Sequence, residues 1–285
     1  MQIMNKDISI ILLLYHTPKN IFKNLKQYKN FNIYILDQNK NSDLKNQLIK
    51  MFPNLNYYNL HKNLGFSKGV NFLAKKVKTK YFLCTQPDII IKEKNIYKLK
   101  KTFSLRKDAI LAVPKIPQYK NNLLNIKKKI YQINNFIGAI FLTPTKKFIS
   151  FGMFDERFFF YWEDIDFCER VSKSKFKMYI NTTAKALHQG AASVKITIFS
   201  IFLRSYNFKL GELLFKNKYK KLKIIKILKE PIKFLIIILL NLIIFNLKKV
   251  MENISYILAI LKFLVILKKQ NLKKLWLKTR LKRLK

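Results

Sequence analysis

Short apolar runs alternate with amphipathic stretches over the first 115 residues of the chain. Short runs rich in β-branched and aromatic residues predict buried strands, and an apolar period of about 3.6 residues predicts helices. The predicted strands occupy 8–14, 32–36, 56–60, 81–84 and 110–113. The predicted helices occupy 17–28, 42–51, a segment ending near 77, and 94–103. This alternation predicts an α/β protein with an open, mostly parallel Rossmann-like sheet and helices on both faces.

The pattern becomes less regular after this point and then changes in kind. Further strands are predicted near 128–132, 136–143, 176–180 and 184–188, with a helix over 162–171. The last 90 residues hold 22 Lys and Arg against three acidic residues, and they contain long apolar runs. We therefore predict an α/β domain over 1–195 and a basic, apolar helical region over 196–285.

Two apolar runs dominate the C-terminal region, at 234–247 and 254–267. Each is shorter than the roughly 18–20 residues that a helix needs to span a bilayer. One interpretation is a pair of core helices that cap the domain. The other is a pair of interfacial helices on an anionic membrane surface, with lysines reaching the head groups. The first run is apolar nearly all round, which favours membrane contact. A shallow re-entrant hairpin and a pair of tilted spans stay open.

The formal net charge of +42 does not by itself indicate a nucleic-acid partner. Lys outnumbers Arg by 51 to 6, a mixture that AT-rich codons produce. Proteins that read nucleic acid more often use Arg, whose planar group pairs with phosphate and guanine. We therefore expect no nucleic-acid partner, and a nucleic-acid-binding protein is kept as an alternative.

The cysteines and the N-terminal run indicate a cytoplasmic location. Cys84 and Cys168 have neither metal-ligand spacing nor a disulfide pattern, which favours a reducing compartment. The apolar run near the N-terminus is short and lacks a small-residue cleavage site, so it resembles a buried strand more than a signal peptide.

Polar residues follow several of the predicted strands, where open α/β sheets bind ligands. Asp37 follows the second strand, the loop 63–71 follows the third, and Asp88 follows the fourth. The loop fits neither the dinucleotide fingerprint nor a Walker A loop. Asp88 could hold a divalent cation or cap a helix. His188 alone is more often structural, and it gains weight as a ligand if Asp88 lies beside it.

Six of the fifteen acidic residues lie in the aromatic-rich segment 154–170. A carboxylate against aromatic surface is desolvated, so its pKa rises and it becomes a stronger base. Asp164 is therefore a candidate general base, and residues 158–162 are candidates for an apolar wall that receives a sugar ring. Of the other acids, Asp155 and Glu156 could order a turn with Arg157. Asp166 and Glu169 are assigned structural roles beside Arg170.

Seven short segments in this order resemble family-2 glycosyltransferases of the GT-A fold, and among them the bacterial rhamnosyltransferase-like members. The segments are LDQN (36–39), NLGFSKGVN (63–71), QPD (86–88), FIGA (136–139), GMFDERFF (152–159), WEDID (162–166) and HQG (188–190). The resemblance covers roughly residues 6–195. Each segment is a weak signal alone, and their shared order makes the resemblance specific.

The resemblance implies a role for each matching position. Donor binding is implied for Asp37, Asn39, Asn63, Gly65, Phe66, Gly69, Asn71 and Gln86. Asp88 matches the last acid of the family's metal-binding D-x-D element, and His188 would complete a site for Mg²⁺ or Mn²⁺. Gln86 replaces the first acid of that element, which leaves fewer charged ligands. Asp164 would be the base and Glu163 its helper, while Tyr161 and Trp162 would bind the acceptor.

The implied activity is an inverting sugar transfer. The donor would be a nucleotide diphosphate sugar, with rhamnose as one candidate sugar. The acceptor would be a hydroxyl of a glycan or a lipid-linked intermediate in cell-surface polysaccharide synthesis. Such an acceptor agrees with a protein held peripherally at the inner face of the cell membrane. A catalytically inactive scaffold with the same fold is the alternative that Gln86 suggests.

Overall fold

The computed structural model describes residues 5–18, 22–40, 44–52, 54–117, 129–190 and 197–283. The described residues divide into two compact units. Residues 5–159 and 163–190 form the first, and residues 160–162 and 197–283 form the second. The predicted boundary between 195 and 196 falls outside the described residues.

Nine strands and six helices build the described part of the first unit. The strands are β1 (Asn5–Leu14), β2 (Phe31–Asp37), β3 (Leu55–Asn59), β4 (Tyr81–Thr85), β5 (Ile89–Ile91), β6 (Ala109–Lys115), β7 (Ile130–Ile133), β8 (Ile140–Pro144) and β9 (Lys177–His188). The helices are α1 (Phe22–Leu25), α2 (Leu44–Met51), α3 (Gly65–Lys76), α4 (Glu93–Leu105), α5 (Thr145–Ser150) and α6 (Glu163–Ser172), and a 3₁₀ turn at Lys26–Tyr28 extends α1.

The strands form one mixed sheet in the order β3-β2-β1-β4-β8-β6-β9-β5, with β7 paired to β9. The first four strands along this order are parallel, as the alternation of strand and helix predicts. β8 runs antiparallel between β4 and β6, and β5 and β7 run antiparallel to β9. The predicted α/β class is confirmed. The parallel half of the sheet is formed by the strands that alternate regularly with helices in the sequence.

Helices cover both faces of this sheet, because alternate residues of the central strands are apolar on each side. Ile8, Ile10, Leu12 and Leu14 of β1 share one core cluster with residues of α1, α2 and α4. The opposite face carries an aromatic cluster. There, Phe82 of β4 lies 5.3 Å from Phe148 of α5, and Phe148 lies 5.7 Å from Phe167 of α6, measured between ring centroids.

Three predicted elements differ from the structure. Ile89–Ile91 forms β5, so Asp88 precedes a strand and does not cap a helix. The two strands predicted at 176–180 and 184–188 are one strand, β9, and a register shift against β6 lies at the predicted break. The strand predicted from 136 begins at Ile140. The predicted helices 17–28 and 42–51 and the strand 128–132 each lie partly outside the described residues.

The second unit contains three helices, α7 (Ile198–Lys218), α8 (Ile224–Ile243) and α9 (Leu247–Arg283). Leu213 of α7, Ile227 of α8, and Ile260 and Phe263 of α9 form its buried core. The helices are longer than the apolar runs on which the sequence interpretation was based, and the pair of tilted spans that the sequence left open stays a prediction. Within the described residues, Leu247–Asn271 is long and apolar enough to cross a membrane, and a third of its most apolar window is buried.

Candidate active site

The carboxyl end of β2 carries a fully buried carboxylate. Asp37 Oδ1 accepts hydrogen bonds from the backbone N–H of Asn39 (3.0 Å) and from its side-chain amide (2.6 Å). The Tyr57 hydroxyl donates to Asp37 Oδ2 at 2.7 Å. Asn39 Oδ1 in turn accepts from the backbone N–H of His16, just after β1, at 3.0 Å. The network fixes Asp37 and Asn39 at the ends of three strands, and their donor-binding role stays a prediction.

The predicted donor loop turns sharply into α3. Asn63 Oδ1 accepts from the Gly65 N–H at 2.8 Å, which closes an Asx turn, and Gly65 has a φ of +77°. The Phe66 N–H donates to the backbone oxygen of Phe159 at 2.7 Å. A Cβ on Gly65 would lie 2.3 Å from that oxygen. Glycine is therefore required by both the backbone conformation and the close approach of the second chain segment.

Gly69 and Asn71 hold α3 in place. A Cβ on Gly69 would lie 2.9 Å from the side chain of Leu13, so the missing side chain lets α3 approach β1. Asn71 Nδ2 donates to the Phe154 carbonyl at 2.9 Å, and Asn71 Oδ1 accepts from the Phe154 N–H at 3.1 Å. These contacts give both residues a positioning role, and their direct contact with a donor stays a prediction.

The structure brings Asp88 and His188 together, although 100 residues separate them in the sequence. Asp88 Oδ2 lies 3.3 Å from His188 Nε2, and both side chains are largely buried. The pairing of β5 with β9 causes this contact, because Ile89 lies opposite His188 in the register. The backbone N–H of Gln189 also donates to the Asp88 carbonyl at 3.0 Å. On sequence grounds His188 gains weight as a metal ligand if Asp88 lies beside it, and the two side chains are in contact.

These two side chains form an incomplete set of metal ligands. Among the described residues, no group of three or more His, Cys, Asp or Glu side chains is arranged to hold a metal ion. A carboxylate oxygen beside an imidazole nitrogen fits a divalent cation that takes its other ligands from a diphosphate and water. Gln86 lies half-buried two residues before Asp88, and its backbone carbonyl accepts from the Ile89 N–H at 3.1 Å.

Two carboxyl groups begin α6. Glu163 is only 5% exposed, and its Oε2 is buried with no hydrogen-bond partner among the described residues. Burial, with a smaller contribution from the neighbouring Asp164, raises the pKa of Glu163 to about 8. Burial also raises the pKa of Asp164, which is half-buried. Asp164 Oδ2 accepts from the backbone N–H of Gly138 at 3.2 Å.

Gly138 joins the acids of α6 to the predicted donor loop. A Cβ at Gly138 would lie 3.5 Å from the ring of Phe66 and 3.7 Å from Glu163 Oε1. Phe66, Gly138, Glu163 and Asp164 therefore meet at one place. The sequence assigned Phe66 and the two acids to different roles, and the fold makes them neighbours.

The other acids of the segment 154–170 form ion pairs or hydrogen bonds with nearby side chains. Asp155 pairs with Arg157 at 2.6 Å and Asp166 with Arg170 at 2.9 Å, in agreement with the sequence interpretation. Glu169 differs, because it pairs with Lys173 at 2.7 Å. Glu156 also differs from the interpretation, since its Oε1 accepts from Asn71 Nδ2 at 3.2 Å.

The aromatic residues before α6 are divided between the two units. Phe158 is buried in the core of the first unit, whereas residues 160–162 belong to the second unit. Tyr161 and Trp162 both have left-handed backbones, with φ of 69° and 72°. The Trp162 ring lies 5.7 Å from Phe208 and 5.3 Å from Phe215 of α7. These contacts bury part of Trp162, and the predicted acceptor role of Tyr161 and Trp162 stays a prediction.

Several site residues escaped the sequence interpretation. Tyr57 and His16 bind the Asp37 network, and Gln38 Oε1 accepts from the Leu64 N–H at 2.8 Å. Gln38 and Gly138 lie within the segments that resemble family-2 glycosyltransferases, but each makes its contact with a residue 26 positions away. A local sequence pattern cannot predict such contacts, because they depend on the order of the strands in the sheet.

The α/β sheet agrees with the comparison to known families. The chain belongs to glycosyl transferase family 2, whose family model matches residues 11–165, more than half of the chain. No curated protein matches the chain.

Three solved structures resemble the chain in fold. The first is GalNAc-T7 with UDP, GalNAc and Mn²⁺, with a TM-score of 0.57, 12% identity, and coverage of 72% of this chain and 46% of that chain. The second is the mannosyltransferase PcManGT from Pyrobaculum calidifontis with GDP-Man and Mn²⁺, with a TM-score of 0.56, 10% identity, and coverage of 75% and 67%. The third is S. aureus TarS, with a TM-score of 0.50, 14% identity, and coverage of 73% and 40%. The chain spans about half the length of GalNAc-T7.

Proposed function

We propose that the protein transfers a sugar from a nucleotide diphosphate donor to a hydroxyl group, with inversion at the anomeric carbon. Membership of glycosyl transferase family 2 supports the reaction class. The observation that carries the proposal is the meeting of the Asp164 carboxylate and the first turn of α3 at Gly138. A base beside a donor loop is the arrangement that a single displacement needs.

Asp164 is the better candidate for the base. At neutral pH Glu163 is largely protonated, because its pKa is about 8, so it is a poor proton acceptor. Its neutral carboxyl group can instead donate a hydrogen bond to an acceptor hydroxyl. Asp164 is more exposed, and its raised pKa makes it a stronger base than an ordinary aspartate.

The proposed reaction is one displacement. Asp164 takes the proton of the acceptor hydroxyl while the acceptor oxygen attacks the anomeric carbon. The bond between that carbon and the diphosphate oxygen breaks on the opposite side, and the diphosphate leaves with the electron pair. The attack from one side and departure from the other invert the anomeric configuration. One carboxylate base suffices, whereas a glycosidase needs two carboxyl groups at a set separation.

Asp88 and His188 are the residues that would hold a divalent cation, either Mg²⁺ or Mn²⁺. When bound, such a cation would offset the charge that develops on the diphosphate. The contact of 3.3 Å between the two side chains supports the assignment. Gln86 contributes at most a neutral amide oxygen, so we expect weaker cation binding than at a site with two acids.

We extend the proposal to the substrates and the location. Rhamnose is the first sugar to test, because of the rhamnosyltransferase-like segments, and the acceptor is a glycan or a lipid-linked intermediate of cell-surface polysaccharide synthesis. Tyr161 and Trp162 are proposed to contact the acceptor. The protein is proposed to be cytoplasmic and peripheral at the inner face of the cell membrane, which the lysine-rich, apolar second unit supports.

A thermal-shift experiment tests the proposal with nucleoside diphosphates in the presence and absence of Mn²⁺. We expect at least one of them to raise the melting temperature, and to raise it further with Mn²⁺, because a ligand that binds only the folded state stabilises it. A nucleotide-sugar panel read by mass spectrometry then identifies the donor. Binding without transfer to any acceptor would favour an inactive scaffold. Stabilisation by none of the diphosphates would contradict the proposal.

A further inference from the structure

One side of α8 is an exposed apolar face that runs the length of the helix. Its residues recur every three or four positions, at Ile225, Leu228, Ile232, Leu235, Leu239 and Leu242. Residues seven apart lie on the same side of an α-helix, so these six share one face. The face continues into the turn before α9, where Phe245 is 85% exposed. Soluble proteins rarely expose a contiguous apolar surface of this length.

The opposite side of α8 is already occupied, so the apolar face is not a core surface of its unit. Ile227 is buried in the three-helix core, and the Phe234 ring lies 5.2 Å from Tyr256 of α9. Glu230 forms an ion pair with Lys209 of α7 at 2.6 Å. These contacts orient α8, because turning it to bury the apolar face would break the ion pair and remove Ile227 from the core.

Three lysines flank this face. Lys226, Lys229 and Lys233 are exposed. At about 100° per residue, Lys229 lies at the edge of the apolar face, and Lys233 and Lys226 lie further round the helix, between that edge and the packed side. A recess of about 480 Å³ at the start of α8 is lined by Lys223, Lys226 and Lys229 together with Ile224 and Ile225. Ammonium groups next to an apolar floor match the junction between phospholipid head groups and acyl chains.

We propose that the exposed face of α8 docks onto an anionic lipid bilayer, with the helix lying along the surface. Lys226, Lys229 and Lys233 would then contact the head groups. The inference names the surface for the membrane association proposed above, and it does not depend on the transfer reaction. It assigns this role to α8, whose exposed apolar face is longer than that of α9, where Leu258, Leu261 and Val265 are exposed.

A second copy of the chain is a poorer occupant of this face. The spacing of alternately three and four residues would suit a coiled coil, but the apolar surface is wider than a two-position seam because Ile224, Ile236 and Ile243 are also exposed. Two copies facing each other would also bring lysine-rich edges together, and the one acidic residue of α8, Glu230, is paired with Lys209. Anionic lipid offers the complementary charge.

Vesicle flotation with the full-length protein tests the proposal, using phosphatidylcholine vesicles with and without phosphatidylglycerol. The test variant is Ile232→Glu/Leu239→Glu, which changes two residues that are each 63% exposed. We expect at least about a tenfold loss of vesicle binding, because two apolar contacts are replaced by charges. The matched control is Ile49→Glu/Leu105→Glu, which adds the same charge to exposed positions of α2 and α4 and should bind vesicles like the parent protein.

The lysines are tested separately with Lys226→Gln/Lys229→Gln/Lys233→Gln. We expect this variant to lose most of its preference for phosphatidylglycerol and most of its salt sensitivity. Lys45→Gln/Lys50→Gln/Lys94→Gln removes the same charge from exposed sites of the first unit and serves as the control. Equal flotation of the parent and the Ile232→Glu/Leu239→Glu variant would overturn the proposal. So would a parent protein that ignores vesicles and forms a dimer that the same two substitutions dissociate.

Discussion

Adjacent carboxyl groups at the start of α6 have different environments, although both lie in the first turn of one helix. Glu163 is nearly inaccessible, whereas Asp164 is half-buried and bound to a backbone N–H. The helix N-terminus favours the charged form of both, but burial has the larger effect and raises both pKa values. The two groups are therefore suited to different tasks at neutral pH.

Asp164→Asn tests the proposed base. The amide keeps the size of the side chain but cannot accept the acceptor proton, so we expect kcat to fall by roughly 10²–10⁴-fold. Donor binding, measured by thermal shift, should be unchanged because Asp164 acts on the acceptor. Asp166→Asn removes a carboxylate of the same helix that is bound to Arg170, and it should lower stability far more than kcat. A parent-like rate in Asp164→Asn would exclude Asp164 as the base.

Glu163→Gln tests the buried carboxyl group through stability. The folded pKa of about 8 lies above the usual value of 4.5, so the folded protein binds the extra proton between these pH values. Stability of the parent protein should therefore fall as the pH rises from about 4.5 to 8, by on the order of a few kcal/mol. Glu163→Gln should remove that fall and melt higher than the parent near pH 8. Parallel melting curves for the two proteins across this range would contradict the prediction.

At the scale of the element, the start of α3 depends on a glycine. Gly65 combines a left-handed backbone with the close approach of the Phe159 carbonyl. The Asn63 side chain and the Gln38 side chain each bind one N–H of the same turn. Contacts from Phe159, Asn63 and Gln38 therefore hold the turn in one conformation. A loop that presents backbone groups to a ligand needs such a fixed geometry.

Gly65→Ala should cost more stability than Gly190→Ala. Both glycines have positive φ, at 77° and 63°, so the backbone conformation alone should make each alanine variant about 1–2 kcal/mol less stable. At Gly65 a backbone oxygen lies 2.3 Å from the added carbon, whereas at Gly190 no atom of the described residues lies within 4 Å. Thermal melts of both variants should show the larger drop for Gly65→Ala, with weaker nucleotide binding. Equal drops would mean that the Phe159 contact adds no constraint.

The strand–helix rhythm of the first part was predictable because each element there carries its own period. β5 was not predictable, because Ile89–Ile91 is too short to show a period and is a strand only by pairing with β9. The same pairing creates the Asp88–His188 contact. The resemblance could therefore assign both residues to one metal site, but the strand pairing that brings them into contact could not be read from the sequence. The contact of Gly138 with Asp164 was not predictable for a similar reason, because it is made by the backbone N–H of Gly138 and not by a side chain.

The Asp88–His188 pair predicts how the protein responds to cations. His188→Ala should reduce the additional stabilisation that Mn²⁺ gives to a bound nucleoside diphosphate, because one of two nitrogen or oxygen ligands is lost. His61→Ala removes an exposed imidazole whose Nδ1 contacts the Lys40 carbonyl, and it serves as the control. The measurement is the melting temperature with diphosphate over a Mn²⁺ titration. An unchanged response in His188→Ala would exclude it as a ligand.

At the scale of the whole molecule, composition predicted a helical region of different character from about residue 196, but not the lengths of its helices. The apolar runs are about 14 residues long, which is short for a helix that crosses a membrane. The helices themselves continue through the flanking lysines to 20 and 37 residues. Composition could not identify which side of α8 is exposed, since Ile227 and Ile225 are chemically the same residue. Only the packing against α7 and α9 distinguishes them.

The packing of the second unit depends on Trp162, which lies just before Glu163 and Asp164. A Cβ on Gly211 would lie 2.8 Å from Trp162 Cδ1, so the indole fills the space that this glycine leaves on α7. We expect Trp162→Ala to destabilise the second unit by about 2 kcal/mol, since a large aromatic side chain leaves a cavity. Urea denaturation followed by far-UV circular dichroism measures the loss. Phe199→Ala, at an exposed position of α7, is the control and should change stability little.

The chain enters the second unit at 160–162 and returns to the first at Glu163, long before α7 begins. A shortened gene that stops near residue 195 would therefore delete Phe208 and Phe215 and leave an indole without its neighbours two positions before Asp164. We therefore expect a transplant of the helical region onto another α/β unit to need a matching aromatic segment in place of residues 160–162.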